Sequence, residues 1–308
     1  MRFPDANGGT VSSPRDPHAA PFLAGIYPPA ALPGWDIRFH EMLDSTNLEA
    51  KRSIARGETE NRLILAEHQT NGQCRHDRLW ESSPGKGIWA SFILPVTVPA
   101  QTLPQATLVL AVAVREGVYA ATGVSLNIKW PNDLLGNGKK CCGLLVETAL
   151  FSTDAARQEP VRLVLGAGIN CGHTDADFPP YLRNAATSLT LLAKGAPPDR
   201  GAVIAAVAEQ VTRWFGIWET EGFGPVRAAW MAHNCTEGRM IDLPDGYGHT
   251  RAVARGIDET GALMAVAEDG TALSIHSGEI IFSGRDSASG NPAQPYAENA
   301  LFGASSGG

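Results

Sequence analysis

The sequence predicts an α+β protein: one sizeable unit in which strands and helices alternate, followed by a small barrel of short strands. Three observations predict it. The 308 residues are 44% hydrophobic and 19% charged, enough apolar material for one large core plus an accessory domain. Between Asp44 and about Trp230, runs with helical periodicity alternate with apolar runs of strand length. Beyond Trp230 the texture changes to short alternating strands broken by turn residues.

The ends are set apart by composition. Met1 to about Pro33 is rich in Pro, Gly, Ala and Ser, and the stretch after about Gly284 is equally poor in packable side chains, so both are expected to be flexible tails. The expected division is therefore a tail over 1–33, a larger domain over 34–235, a small domain over 236–284 and a second tail over 285–308.

Within the larger domain, Ser45 and Thr46 precede NLEAKRSIARG, which reads as a capped helix ending at Gly57. RLILAEH from Arg62 is a buried strand. A polar loop containing glycine, TNGQCRHDRLWESSPGKG, follows; its length suits function better than a tight turn. IWASFIL is a strand, and Thr107 to Ala121 is apolar nearly all round, as a buried helix would be. Strands are expected around LNIKW and CCGLLVETAL, joined by the Gly-Asn-Gly turn at Leu135 to Gly138. VRLVLGAGIN is a third strand, ending in glycines. From Gly201 to Gly222, Val203, Ile204, Val207, Val211, Trp214, Phe215 and Trp218 mark one face of an amphipathic helix. RMIDLP, HTRAVARGID, GALMAVAE, TALSIHS and EIIFSG then give about 48 residues of short strands, SH3-like in size.

Charge and targeting signals narrow the function. A net charge of −7 argues against a nonspecific nucleic-acid binder, which needs a basic face. No apolar run approaches the roughly 20 residues of a membrane span, and MRFPDANGGTVSSPRD lacks the regions of a signal peptide. A cytoplasmic protein without membrane partners is expected. Five cysteines without C-x-x-C spacing indicate neither a disulfide framework nor a zinc cluster.

The string KWPNDLLGNGKKCCGLLVE, Lys129 to Glu147, places Lys129, Asn132, Asp133, Lys139 and Lys140 on the ends and turn of adjoining apolar strands. Making an acyl phosphate anhydride from ATP needs lysines to offset charge at the α-phosphate and a carboxylate to hold magnesium. Taken alone, adjacent lysines at a turn read equally as solvated side chains. The loop Gln69 to Trp80 offers Arg75 and Arg78, which suit a lid, and Trp80, a flat face for a ring; an ordinary exposed loop with a packed tryptophan is the alternative. Gly166 and Gly168 in GAGIN, and Gly143 within its strand, permit close approach of a flat ligand. Asn170 beside them reads either as an amide for an adenine edge or as a turn residue. No Walker loop, serine-hydrolase elbow or zinc-protease helix occurs.

Seven strings occur together in one order: DSTN at Asp44, AEHQTNGQCRHDRLW at Ala66, KWPNDLL at Lys129, KCCGLLVE at Lys140, GAGIN at Gly166, ATSL at Ala186 and RGIDETGAL at Arg255. Over most of Asp44 to about Gly284 the chain thereby resembles biotin protein ligases. The resemblance implies a mixed sheet backed by helices, of the class II synthetase-like biotin/lipoate ligase kind, with an SH3-like appendage. It implies that Ser45, Thr46 and Gln69 meet the ureido ring of biotin with Gly72 beside it, along a pocket that includes Gly143, Gly166 and Gly168. Lys140 would contact the biotin carboxyl group and the adenylate phosphate, and Arg75 would hold the adenylate. Trp80, Arg78, Asn132 and Asn170 would meet the nucleotide, while Lys129 and Asp133 would act on phosphates and Mg2+. The implied substrates are biotin and ATP, and the implied partner is a biotin carboxyl carrier protein or a similar lysine-bearing domain; a homodimer is a further expectation. One departure stands out. The family loop reads about G-R-G-R-x-G-R-x-W, whereas Gly72 to Trp80 carries Gln73, Cys74 and Asp77 at the first arginine, the second glycine and the third.

Three readings follow: a biotin ligase, a lipoate or octanoate ligase, and a noncatalytic binder that keeps the pocket. About 35 polar residues precede the catalytic region, too few for a winged helix-turn-helix, so a repressor role is disfavoured.

Overall fold

A computed structural model describes residues 32–58, 60–73, 75, 79–80, 83–149, 160–243 and 246–283. The chain runs β1 (Asp36–Leu43), α1 (Thr46–Ala55), β2 (Arg62–Gln69), β3 (Gly72–Gln73), β4 (Leu79–Trp80) and β5 (Gly87–Val96). It continues through α2 (Ala106–Thr122), β6 (Asn127–Lys129), β7 (Asp133–Gly136), β8 (Lys139–Ala149), β9 (Val161–Asn170), α3 (Leu189–Ala193), α4 (Arg200–Glu221) and α5 (Phe223–Ala232). Five short strands close it: β10 (Met240–Asp242), β11 (Arg251–Ile257), β12 (Leu263–Ala267), β13 (Ala272–Ile275) and β14 (Ile281–Phe282).

Seven strands form one mixed sheet in the order β1-β2-β5-β9-β8-β7-β6. β1 and β2 are parallel, and the other neighbours are antiparallel. Alternation sorts the side chains of each strand onto two faces. Leu63, Leu65, Ile88, Ala90, Phe92, Leu165 and Ala167 join the large core under α2 and α4. The residues between them point the other way, where Ile64, Ile93 and Val164 pack on Ala50 and Ile54 of α1. All seven apolar residues that marked the amphipathic helix are buried in α4. Its partner α2 is buried almost all round, as its composition requires.

The five short strands form an antiparallel sheet in the order β13-β12-β11-β10-β14. It shares the large core through Ile241, Ala252, Ala254 and Leu263. Polar contacts dock it as well: Trp130 Nε1 donates to Gly261 O at 3.2 Å, Gln105 Nε2 to Glu259 O at 3.2 Å and Arg227 Nε to Ile257 O at 2.9 Å. Among the described residues no helix is long and apolar enough to cross a membrane.

Four local expectations need correction. The Gly-Asn-Gly turn joins β7 to β8, with β7 an additional short strand after β6; Asn137 and Gly138 both take positive φ, 51° and 78°, as a two-residue hairpin requires. Ser45 stands at the N-cap of α1, but its side chain makes no capping hydrogen bond. Strand β1 and helix α5 were not anticipated. Leu32, inside the stretch expected to be a tail, is buried in the core; residues 1–31 and 284–308 lie outside the described residues.

Candidate active site

The sheet register builds the site. Lys129, Asp133, Gly143, Gly168, Trp89, Ala66 and His40 stand opposite one another in turn across all seven strands. Directly paired residues share a face, so this row runs over the α1 side of the sheet. Its two central members have no side chain, which leaves a shallow floor over β8 and β9. Gly166 extends the floor one step further, opposite Ser91.

A β-bulge makes Lys140 part of this face. Lys140 and Gly143 are three positions apart, a spacing that in a regular strand would put their side chains on opposite faces. The register shifts between Leu134 and Leu135, which pair with Cys142 and Lys140 and leave Cys141 as the extra residue. Lys140 therefore sits opposite Leu135 and shares the face of Asp133. Its Nζ lies 2.7 Å from Asp133 Oδ1 and 5.2 Å from the centre of a Trp80 ring. The backbone of Lys140 is fixed from the other side, donating to Ala185 O at 2.8 Å and accepting from Thr187 N at 2.9 Å. Lys139 points elsewhere, to Arg183 O at 2.8 Å.

The cationic end gathers the other expected groups. Lys129, 8% exposed, faces Asp133; burial lowers its pKa, against the opposing charges of Asp133 and Glu279. Arg75 Nη1 donates to Asn132 Oδ1 at 3.3 Å, and Asn132 Nδ2 donates to Leu144 O at 2.8 Å. Arg75 also lines a hollow of about 320 Å³ with Trp130, Leu145, Gly261 and His276. Trp80 lies on the glycine floor: a Cβ at Gly143 would run into its ring, and one at Gly168 would meet its Cε2 at 3.0 Å. Asn170 is buried, and its Nδ2 donates to Thr187 O at 3.1 Å. Arg78, with Cys74, His76 and Asp77, lies outside the described residues.

At the opposite end lies a polar cluster. Thr46 donates to Gln69 Oε1 from both N (2.8 Å) and Oγ1 (3.1 Å). Ser91 Oγ lies 2.7 Å from Thr46 Oγ1 and 2.5 Å from Asn47 Oδ1. Asn47 Nδ2 donates to Glu147 Oε2 at 2.9 Å, and Glu147 Oε1 takes Lys51 Nζ at 2.5 Å. Ser45 is buried beside them, and a Cβ at Gly72 would come within 3.1 Å of Gln69 Nε2. Sequence reasoning missed Asn47, Ser91 and Glu147. Asn47 was legible as the last letter of DSTN, whereas Ser91 sits in an apolar strand and only the register places it over Gly166.

Behind the floor, Arg200 Nη1 bonds both Glu67 oxygens and Gly87 O at 3.1 Å, an almost fully buried pair. His173 is 2% exposed, stacks on Phe178 at 5.1 Å and leaves its Nδ1 without a hydrogen bond. Burial pulls its pKa down to about 4.

Comparison with known proteins bears on the family and the fold. The profile of the Biotin/lipoate A/B protein ligase family matches residues 39–170, and that of the biotin protein ligase C terminal domain matches residues 237–283. The bifunctional ligase/repressor BirA of Bacillus subtilis is 35% identical over 248 residues, covering 80% of this chain and 74% of the relative. The biotin--[acetyl-CoA-carboxylase] ligase of Paracoccus denitrificans is 30% identical over 250 residues, covering 78% and 98%. A solved biotin protein ligase from Aquifex aeolicus, in complex with biotin and ATP, superposes with a TM-score of 0.65 at 25% identity, covering 80% of this chain and 98% of that one.

Proposed function

Because the chain belongs to the biotin/lipoate A/B protein ligase family, we propose that it is an ATP-dependent biotin protein ligase that forms biotinyl-5′-AMP and passes biotin to a lysine of a carrier protein. One observation carries the choice of acid: the polar cluster of buried Thr46, Asn47 and Ser91 with half-buried Gln69, at one end of a glycine floor whose other end is cationic. A ureido ring supplies two N–H donors and a carbonyl to such a cluster. The dithiolane of lipoate or the methyl end of octanoate offers neither, and would cover this polar cluster without a hydrogen bond in return.

The valeryl chain then runs from Gly166 alongside the Trp80 ring, which itself covers Gly143 and Gly168, and its carboxylate reaches Lys140. The carboxylate oxygen attacks the α-phosphorus of ATP, an acyl–phosphate bond forms and pyrophosphate leaves. Lys140, Lys129 and Arg75 offset the charge that builds on the phosphoryl oxygens, in a site where Lys129 is already withdrawn from water. The uncharged ε-amino group of the carrier lysine attacks the acyl carbon, the bond to phosphate breaks, and AMP leaves with the electron pair. Trp80 packed over the floor excludes water that would otherwise hydrolyse the anhydride.

The residues present suit magnesium. Asp133 Oδ1 is buried and, apart from the ion pair with Lys140, accepts no hydrogen bond; magnesium on phosphates needs one or two protein oxygens and keeps water for the rest. Asp133 would hold it, with Asn132 Oδ1 beside it. When bound, the ion neutralises the triphosphate and eases departure of pyrophosphate.

The test is pyrophosphate–ATP exchange in the presence of biotin, lipoate or octanoate, with mass spectrometry of the acyl-AMP. Exchange with biotin alone is expected. Exchange confined to lipoate or octanoate, or biotin binding without AMP transfer, overturns the proposal.

A further inference from the structure

Lys129 depends on the small domain. It ends β6, the three-residue edge strand of the large sheet. The open side of that strand is closed by the segment leading into the small sheet: Ile128 N donates to His233 O at 2.8 Å and Cys235 N donates to Ile128 O at 3.0 Å. The ammonium of Lys129 lies 5.1 Å from the centre of the Phe282 ring on β14. The same ring carries the Arg239 guanidinium at 3.7 Å. Phe282 is held in turn by its pairing with Ile241 of β10, and Ser283 N donates to Met240 O at 2.9 Å.

A lysine side chain has four rotatable bonds and on its own would sample many positions. Here the ammonium is withdrawn from water, has a carboxylate on its own face at Asp133, and has an aromatic face from another domain beneath it. The negative face of the ring attracts a cation most strongly where water is excluded. The ring cannot accept the proton and cannot neutralise the charge, as a carboxylate would. It holds the ammonium in place and leaves its charge available.

We infer that Phe282 is a positioning residue for adenylation: from the small domain it aims the Lys129 ammonium at the phosphates of ATP. The inference rests on the adenylation reading above. It gives the small sheet a part in the first half-reaction, through one aromatic face and without contact to biotin.

The test uses the full chain carrying Phe282→Leu, Phe282→Tyr, Lys129→Met and the Phe282→Leu/Lys129→Met double substitution. Exchange kinetics are read separately against ATP and biotin, alongside thermal unfolding. Phe282→Leu is expected to raise KM for ATP about ten-fold, the range of a desolvated cation–aromatic contact, while KM for biotin stays within two-fold. Phe282→Tyr keeps the ring and restores the ATP value. In the Lys129→Met background, Phe282→Leu adds nothing further. An unchanged KM for ATP in Phe282→Leu overturns the inference, as does an equal loss for ATP and biotin together with a lowered Tm, which marks a merely structural ring. Should Phe282→Leu fail to fold, Phe282→Tyr and Phe282→Met stand in its place, and equal KM values for ATP in those two overturn it likewise. Absence of biotin-dependent exchange in the unaltered protein overturns the adenylation reading itself, and this inference with it.

Discussion

Gly166→Ala tests the polar end of the pocket with a single methyl group. Gly166 lies on β9 opposite Ser91, with none of the positive φ that would strain an alanine, so the effect comes from volume alone. The added Cβ would run into Asn47 Oδ1 and come within 3.0 Å of Asn47 Cγ and Nδ2. Asn47 cannot turn aside freely: its carboxamide is tied at 2.5 Å to Ser91 Oγ and at 2.9 Å to Glu147 Oε2. Moving it breaks both hydrogen bonds at roughly 1 kcal/mol each. That predicts a loss of about 2 kcal/mol for a ligand that needs the cluster in register, or about a 30-fold rise in KM for biotin. KM for ATP should move little, because Lys140, Lys129 and Arg75 stand at the other end. The assay is biotin-dependent pyrophosphate exchange across a biotin titration. A KM for biotin within two-fold of the unaltered protein would refute the placement of the ureido ring at this cluster.

Further outcomes follow from other contacts. Lys140→Met removes the partner of Asp133 at 2.7 Å and should slow single-turnover formation of biotinyl-AMP by about 10²-fold or more; a loss under five-fold would remove Lys140 from the chemistry. Arg200→Leu leaves the carboxylate of Glu67, 5% exposed, buried without its partner and should cost about 3–5 kcal/mol in urea unfolding, with most of it regained in Arg200→Leu/Glu67→Leu; equal stability of the single and double variants would refute this. His173, held down to about 4 from 6.5 by burial, takes up its proton in the unfolded chain first. Its contribution to stability is therefore intact above about pH 6.5 and declines as pH falls toward 4, by up to about 3 kcal/mol. His173→Gln should flatten the pH dependence of unfolding across that window, and parallel curves would contradict it.

How much was legible depended on whether a residue's job is local. Helices α2 and α4 could be read because burial demands an apolar face at helical spacing, and all seven marked positions of α4 are buried. The short strands after Trp230 were legible from their turn residues. Strand β1 was not, because it is an edge strand with no fully buried side chain in DIRFHEML, so burial imposed no period on it. Strand β7 was hidden inside the turn-rich run PNDLLGNG. In the site, the lysines, Asp133, Gln69 and the glycines could be picked out by type and by family order. Ser91 could not, since a serine in an apolar strand has no signature until the pairing with Gly166 puts it in the cluster. Ser45 was expected to cap α1 from its type, yet its side chain makes no capping bond and its amide donates to Asp44 Oδ1 at 2.7 Å, and the helix start is tied down by Gln69 instead.

The bulge at Cys141 places an unusual demand on this protein. Substituting Cys141 or Cys142 by another small apolar residue alters packing and leaves the direction of the neighbouring ammonium unchanged. Pairing this stretch in regular alternation at unchanged length would turn that ammonium into the hydrocarbon layer beneath α2, where no counter-charge awaits it, whereas deleting Cys141 would leave Lys140 two positions from Gly143 and still on its face. The spacing and the bulge are thus inherited together, and a change in one must be matched by a change in the other to keep Lys140 on the face of Asp133.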